Sequence, residues 1–283
     1  MVSEAFCGRC AGILSVNGFR TDSFGAKRRL CSEFILPDED RTDLGRNGLF
    51  VLQKKSGYRF AADSVLLARF AGIRMGGTRT AELGAGCGVI SVLFADSHPA
   101  VTVDAVEIDA ETADMARRSV LANGMEQRVR VCEMDLQASP ARLGRETYDL
   151  VLANPPYWAG GIAAADGRSR IAKTQAGGGI RAFISCAAAL LKERGYFTLV
   201  YPAAQIDELF QALGAARLPA KRARLVQHNA ACAPKRVLAE CVKGASGGIR
   251  WEPTLMVAEE EERMAVEQKT RTGTAGARAE TEE

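Results

Sequence analysis

The chain has 283 residues, 47% apolar and 25% charged, the balance of a soluble globular protein with one large domain and extensions, or two small domains. It holds no run of eighteen apolar residues, and its start, Met1-Val2-Ser3-Glu4-Ala5-Phe6-Cys7, lacks a basic segment followed by an apolar one. A membrane-spanning helix and a secretory signal are therefore not expected, and a cytoplasmic location is.

The net charge is +3, unevenly spread: Glu259 to Glu283 carries eight acids against four bases, a net of −4, which leaves +7 on the rest. Basic residues gather at Lys27-Arg28-Arg29, from Arg217 to Arg224, at Lys235-Arg236 and from Lys243 to Arg250. Each cluster alone reads as a solvated face; together they favour an anionic partner such as nucleic acid. Of eight cysteines, Cys87, Cys132, Cys186 and Cys241 fall inside apolar patterns and read as small reduced core residues. Cys7 and Cys10 have the spacing of half a zinc site, but Cys31 stands alone and no second pair follows, so no metal is expected.

In chain order, residues 1–38 show no sustained period and read as an extension, either a disordered segment or an over-long translation start. Asp38-Glu39-Asp40-Arg41 reads as a charged hinge. Gly48 to Gln53 and Tyr58 to Phe60 suggest a hairpin around Lys54 to Gly57. Asp63 reads as the cap of a helix from Ser64 to about Gly72, with Val65, Leu66, Leu67 and Phe70 on its apolar face. From Thr80 strands and helices alternate. Strands are expected at Thr80–Leu83, Val101–Ile108, Val129–Met134, Leu150–Ala153, Tyr196–Tyr201, Arg222–Gln227 and Arg236–Val242. Helices are expected at Val89–Ser97, Ala110–Asn123, Ile180–Leu191 and Ala204–Leu213. This is the pattern of a doubly wound sheet, whose ligands bind beyond the carboxyl ends of the strands. Residues 39–258 form the expected domain, and residues 259–283 have the composition of a disordered tail.

Four strand ends carry the chemistry. Glu82-Leu83-Gly84-Ala85-Gly86-Cys87-Gly88 follows the first strand of the alternating section and opens a helix, so its glycines allow a tight turn and a close ligand. The spacing is not that of a dinucleotide site, and Glu82 would repel a pyrophosphate but suit a cationic amine, such as the methionine part of S-adenosylmethionine. Glu107 ends the next strand, before Ile108, where an acid takes ribose hydroxyls. Asp135, before Leu136, ends the third and is placed to accept from an adenine amine. Asn154-Pro155-Pro156-Tyr157 ends the fourth. Neither proline has an N–H to compete with the carbonyls, the Asn154 amide oxygen adds an acceptor, and Tyr157 offers a stacking face. Such a site suits a flat group that bears nitrogen. Each acid alone could be a strand-end or capping residue; four consecutive strand ends form a joint signal. His98 and His228 need no catalytic role.

On these residues the segment from Gly48 to about Glu252 resembles a class I S-adenosylmethionine-dependent methyltransferase. More narrowly, it resembles the bacterial adenine-N6 methyltransferases that modify valine tRNA beside the anticodon. The narrower likeness rests on Gln53 with Gly57-Tyr58-Arg59-Phe60-Ala61-Ala62-Asp63-Ser64-Val65-Leu66-Leu67-Ala68, and on Pro234-Lys235-Arg236-Val237-Leu238, Val242-Lys243-Gly244 and Gly247-Gly248-Ile249-Arg250. It implies a Rossmann-like α/β fold with a seven-stranded, mostly parallel sheet and helices on both faces. It implies S-adenosylmethionine held by Glu82, Gly84, Ala85, Gly86, Gly88, Glu107, Ile108, Asp135, Leu136 and Asn154. It further implies methyl transfer at Asn154, Pro155, Pro156 and Tyr157, and tRNA as partner, gripped by segments 217–224 and 235–250. One stretch departs: where relatives usually carry Ala-Arg-His-Glu, this chain has Ala172-Lys173-Thr174-Gln175. The same tetrapeptide also serves other nucleic-acid amines and, in protein-glutamine methyltransferases, a side-chain amide. A binding module with an altered target loop is the non-enzymatic alternative.

Overall fold

The structure is a computed structural model, and it describes residues 34–56, 62–72, 78–156 and 179–258, together with the backbone of two short strands. Those strands, β1 (Phe19–Thr21) and β2 (Lys27–Arg29), pair antiparallel. A second hairpin joins β3 (Glu39–Asp43) to β4 (Phe50–Lys54). The helix α1 (Ala62–Phe70) follows, then β5 (Arg79–Leu83), α2 (Val89–Ser97), β6 (Thr102–Glu107), α3 (Ala110–Ala122), β7 (Val129–Glu133), α4 (Ser139–Leu143) and β8 (Tyr148–Ala153). The second half holds α5 (Gly179–Leu190), β9 (Leu191–Pro202), α6 (Ile206–Ala215), β10 (Ala220–Gln227), β11 (Arg236–Val242) and β12 (Arg250–Met256).

The main sheet runs β12-β10-β11-β9-β8-β5-β6-β7. The block from β7 to β9 is parallel, β11 is antiparallel to both its neighbours, and β12 adds parallel to β10. The order reverses direction between β5 and β8, the switch point at which a doubly wound sheet opens a crevice for ligands. The central strands are apolar because helices cover both faces: Leu150, Val151, Leu152 and Ala153 are at most 2% exposed. Leu150 and Leu152 pack with α1 and α2 residues such as Leu67 and Phe94, while Val151 and Ala153 pack with α5 residues Phe183 and Ala187. The alternation of a single strand thus feeds two cores.

Three expectations need correction. The sheet has eight strands, not seven. The eighth, β12, has no buried residue and contains Pro253, which suits an edge strand because proline cannot donate to a ladder. The charged segment around Glu39 is a strand rather than a hinge. Its partner is Phe50–Lys54, with Asp40 opposite Gln53. Glu39 is buried and receives both nitrogens of Arg118 of α3, at 2.6 and 2.7 Å. The other edge of β4 finds its hydrogen bonds on α3 side chains: Leu52 N–H donates to Ser119 Oγ, and Asn123 Nδ2 donates to the Phe50 carbonyl. Asp63, finally, lies inside the first turn of α1 rather than capping it, and accepts from Arg236 Nε at 2.8 Å. Tyr58–Phe60 lies outside the described residues.

Cys87, Cys186 and Cys241 are buried and Cys132 is half-buried, as their apolar contexts suggest. Burial pushes the Cys186 thiol up to about 11. Cys7, Cys10 and Cys31 lie outside the described residues.

Candidate active site

The carboxyl ends of β5, β6, β7 and β8 lie side by side, and the expected site residues follow them in that order. The turn after β5 is held by its own backbone: Ala85 N–H donates to the Val106 carbonyl, and Gly88 N–H to the Ala85 carbonyl. Gly84, Gly86 and Gly88 all have left-handed φ, at 70°, 58° and 88°. A side chain at Gly84 would press into the Phe183 ring at 3.2 Å, whereas one at Gly86 would meet nothing within 4 Å. Gly84 therefore serves packing against α5, and Gly86 faces open space where a ligand can approach the backbone.

Glu107 is buried, at 4% exposure, and bridges two loops. One carboxylate oxygen accepts from Gly86 N–H at 2.8 Å and the other from Asp109 N–H at 3.0 Å. A carboxylate oxygen can accept more than one hydrogen bond, so the group that shapes the turn has the chemistry to bind a diol. Beside it Ile108 is 56% exposed, an apolar side chain left uncovered at the mouth of the site. Asp135 is exposed and accepts from Gln137 N–H at 2.8 Å, with Leu136 half-buried next to it. A diol acceptor, an apolar platform and an outer carboxylate in this sequence fit an adenosyl group.

Glu82 is placed differently from the expectation. Its carboxyl is 1% exposed and accepts from the Ser91 hydroxyl in the first turn of α2. Burial pushes it up to about 8, against the pull of the Ser91 bonds. It is not presented to a ligand amine; it braces the turn from beneath.

At β8 the site is completed by a residue that the spacing alone did not single out. Asn154 Nδ2 donates to Ser64 Oγ of α1 at 3.1 Å. With its nitrogen so anchored, the amide presents Oδ1 as an acceptor. Pro155 is buried and Pro156 exposed, while Tyr157 and the stretch Ala172–Gln175 lie outside the described residues. Ser64 is neighbour to Asp63, whose bond to Arg236 ties α1 to the first residue of β11. The upstream and downstream motifs, 173 residues apart, therefore meet in space beside Asn154. Only the pairing of Ser64 with Asn154, 90 residues away, could have identified Ser64, and one sequence does not reveal it.

Much of the basic residue content expected to face nucleic acid is engaged within the chain. Arg222 is paired with Glu240 and Glu252, Lys221 donates to the Ser246 and Gly248 carbonyls, and Lys243 pairs with Glu146. Arg222, Lys221 and Arg250 line a cavity of about 410 Å3 with Arg194 and Glu240. It lies at the starts of β10 and β12, the opposite end of the sheet from Asn154. Lys235, by contrast, is exposed next to Arg236 on the site's side. Among the described residues there is no cluster of metal-ligating side chains, and no helix is long and apolar enough to cross a membrane.

The methyltransferase small domain family matches residues 61–224. A tRNA1(Val) (adenine(37)-N6)-methyltransferase of Cronobacter sakazakii is 29% identical, covering 71% of this chain and 83% of that protein. One of the same name from Escherichia coli O157:H7 is 30% identical, covering 69% and 81%. Among solved structures, a "predicted O-methyltransferase" of Agrobacterium tumefaciens superposes with a TM-score of 0.57 at 23% identity, covering 69% of this chain and 88% of that one. The TYW2 protein of Pyrococcus horikoshii, in complex with MeSAdo, gives 0.52 at 16%, covering 74% and 73%. The last two show the fold. With the sheet order, the strand-end residues and the family match together, the chain belongs to the methyltransferase small domain family and is a class I methyltransferase.

Proposed function

We propose that this enzyme methylates the exocyclic N6 amine of an adenine in tRNA, next to the anticodon of valine tRNA, with S-adenosylmethionine as donor. The observation that carries the reading is the anchored Asn154 amide, whose Oδ1 is left to accept at the end of β8. The names of the relatives support the tRNA adenine as its target.

S-adenosylmethionine, when bound, supplies an electrophilic methyl group on a sulfonium. Glu107 would hold the ribose hydroxyls, Ile108 and Leu136 the flat face of the adenine, and Asp135 its amine. The lone pair of the target amine is conjugated with its ring, which makes it a poor nucleophile. Asn154 Oδ1 and the Pro155 carbonyl would accept its two N–H groups, favour a pyramidal nitrogen and stabilise the positive charge that develops on it. Tyr157 would stack on the target base, and Pro156 would fix the loop. The nitrogen–carbon bond forms as the carbon–sulfur bond breaks, and the extra proton leaves to water without a dedicated base. A loop nucleotide is already unstacked, so the enzyme avoids most of the cost of base flipping. A cytoplasmic location belongs to the same proposal.

Transfer of a labelled methyl group to unmodified valine tRNA tests the reading. Label should enter the native transcript and be lost from one in which the adenine beside the anticodon is replaced by guanine. Equal labelling of both would exclude that nucleotide.

A further inference from the structure

Gln53 of β4 is 4% exposed, and its Oε1 has no hydrogen-bond partner among the described residues. Its Nε2 donates to Cys87 Sγ, at 3.6 Å. Cys87 lies between Gly86 and Gly88, so the amide abuts the glycine turn itself. An unmet buried acceptor is costly and calls for an explanation. Turning the amide over would pair Oε1 with the thiol and leave the Nε2 hydrogens unmet, so one end lacks a partner in either setting.

The order of the strand ends says what the partner is. Glu107, Ile108 and Asp135 place the adenosine of the donor over β6 and β7, and Asn154 places the methyl acceptor at β8. The donor must therefore cross the turn after β5, and its amino-acid end is what remains to be held there. Glu82, the acid expected to take the amine, is turned inward onto Ser91. We infer that Gln53 binds the amino-acid end of the methyl donor, its Oε1 accepting from the ammonium group. This rests on the methyl-donor reading above and assigns a binding residue to it.

The test uses the full chain and two ligands measured by calorimetry: S-adenosylhomocysteine, which has the amino-acid end, and 5′-methylthioadenosine, which lacks it. Gln53→Met keeps the volume and removes the acceptor. It should weaken S-adenosylhomocysteine about tenfold and leave 5′-methylthioadenosine within about twofold, a single charge-assisted bond's worth. The ligand-free melting temperature should hold or rise, since an unmet acceptor has been removed. Gln53→Glu keeps an acceptor and should hold S-adenosylhomocysteine within about threefold. Equal loss of both ligands, no loss of either, or a Gln53→Met chain that melts well below the native one would overturn the assignment and give the amide a structural role. If the native chain bound neither ligand, the methyl-donor reading would fall with it; binding by the native chain without discrimination in Gln53→Met would overturn the Gln53 assignment alone.

Discussion

Asn154 shows how little freedom the proposed acceptor amide is given. One end is fixed by Ser64 and the other is left for a substrate. Asn154→Ala should lower kcat by about 10²–10³, the usual loss of one donor or acceptor aimed at a transition state, while S-adenosylhomocysteine binding changes little. Retained turnover would remove Asn154 from the chemistry. Ser64→Ala should act through Asn154 alone, lowering kcat about tenfold with KM for the donor unchanged; a shift confined to KM would contradict a positioning role. Glu82 sets a pH dependence. Its carboxyl is raised to about 8 on folding by burial, so its neutral form is the one the fold favours. Its contribution is complete below the unfolded value of about 4.3 and is lost as pH rises through about 8. Denaturant titrations should show the native chain losing up to a few kcal/mol relative to Glu82→Gln between about pH 5 and 8. A difference that stays flat over that window would mean that Glu82 is ionised in the folded state.

At the scale of elements, the sequence is most readable where a strand or helix carries its own signal. β8 and α2 are runs of apolar residues, and α3 carries its start at Asp109, which accepts from Thr112 N–H, and its stop at Gly124, with φ of 68°. The glycine turn and the acids at the ends of β6 and β7 were legible for the same reason. What escaped depends on distant partners. Glu39 reads as a solvated charge until Arg118, 79 residues away, is packed against it. β12 reads as loop because edge exposure and Pro253 dilute its pattern. Ser64 and Gln53 were visible as letters in a motif but not as contacts. The Glu39–Arg118 pair should behave as a buried clasp between the hairpin and α3. Glu39→Ala takes from Arg118 its buried carboxylate, leaving it the half-exposed Asp114 and the Phe34 carbonyl, and should cost about 3 kcal/mol in chemical denaturation. A cost below about 1 kcal/mol would place the pair in the class of surface salt bridges.

The whole molecule has its chemistry at one end of the sheet and much of its self-paired basic content at the other. Lys235 is an exposed cation on the site's side, so Lys235→Glu should weaken tRNA binding and flatten the slope of log affinity against log salt by about 1. Lys221→Ala at the far end should leave the slope unchanged. An unaltered slope in Lys235→Glu would put the RNA elsewhere on the surface. The central claim concerns one nucleotide, and it is tested most directly by mass spectrometry of nucleosides from valine tRNA of a strain lacking this gene. N6-methyladenosine beside the anticodon should disappear in that strain and return when the native chain, but not Asn154→Ala, is restored. Unchanged N6-methyladenosine in the deletion strain would contradict the claim.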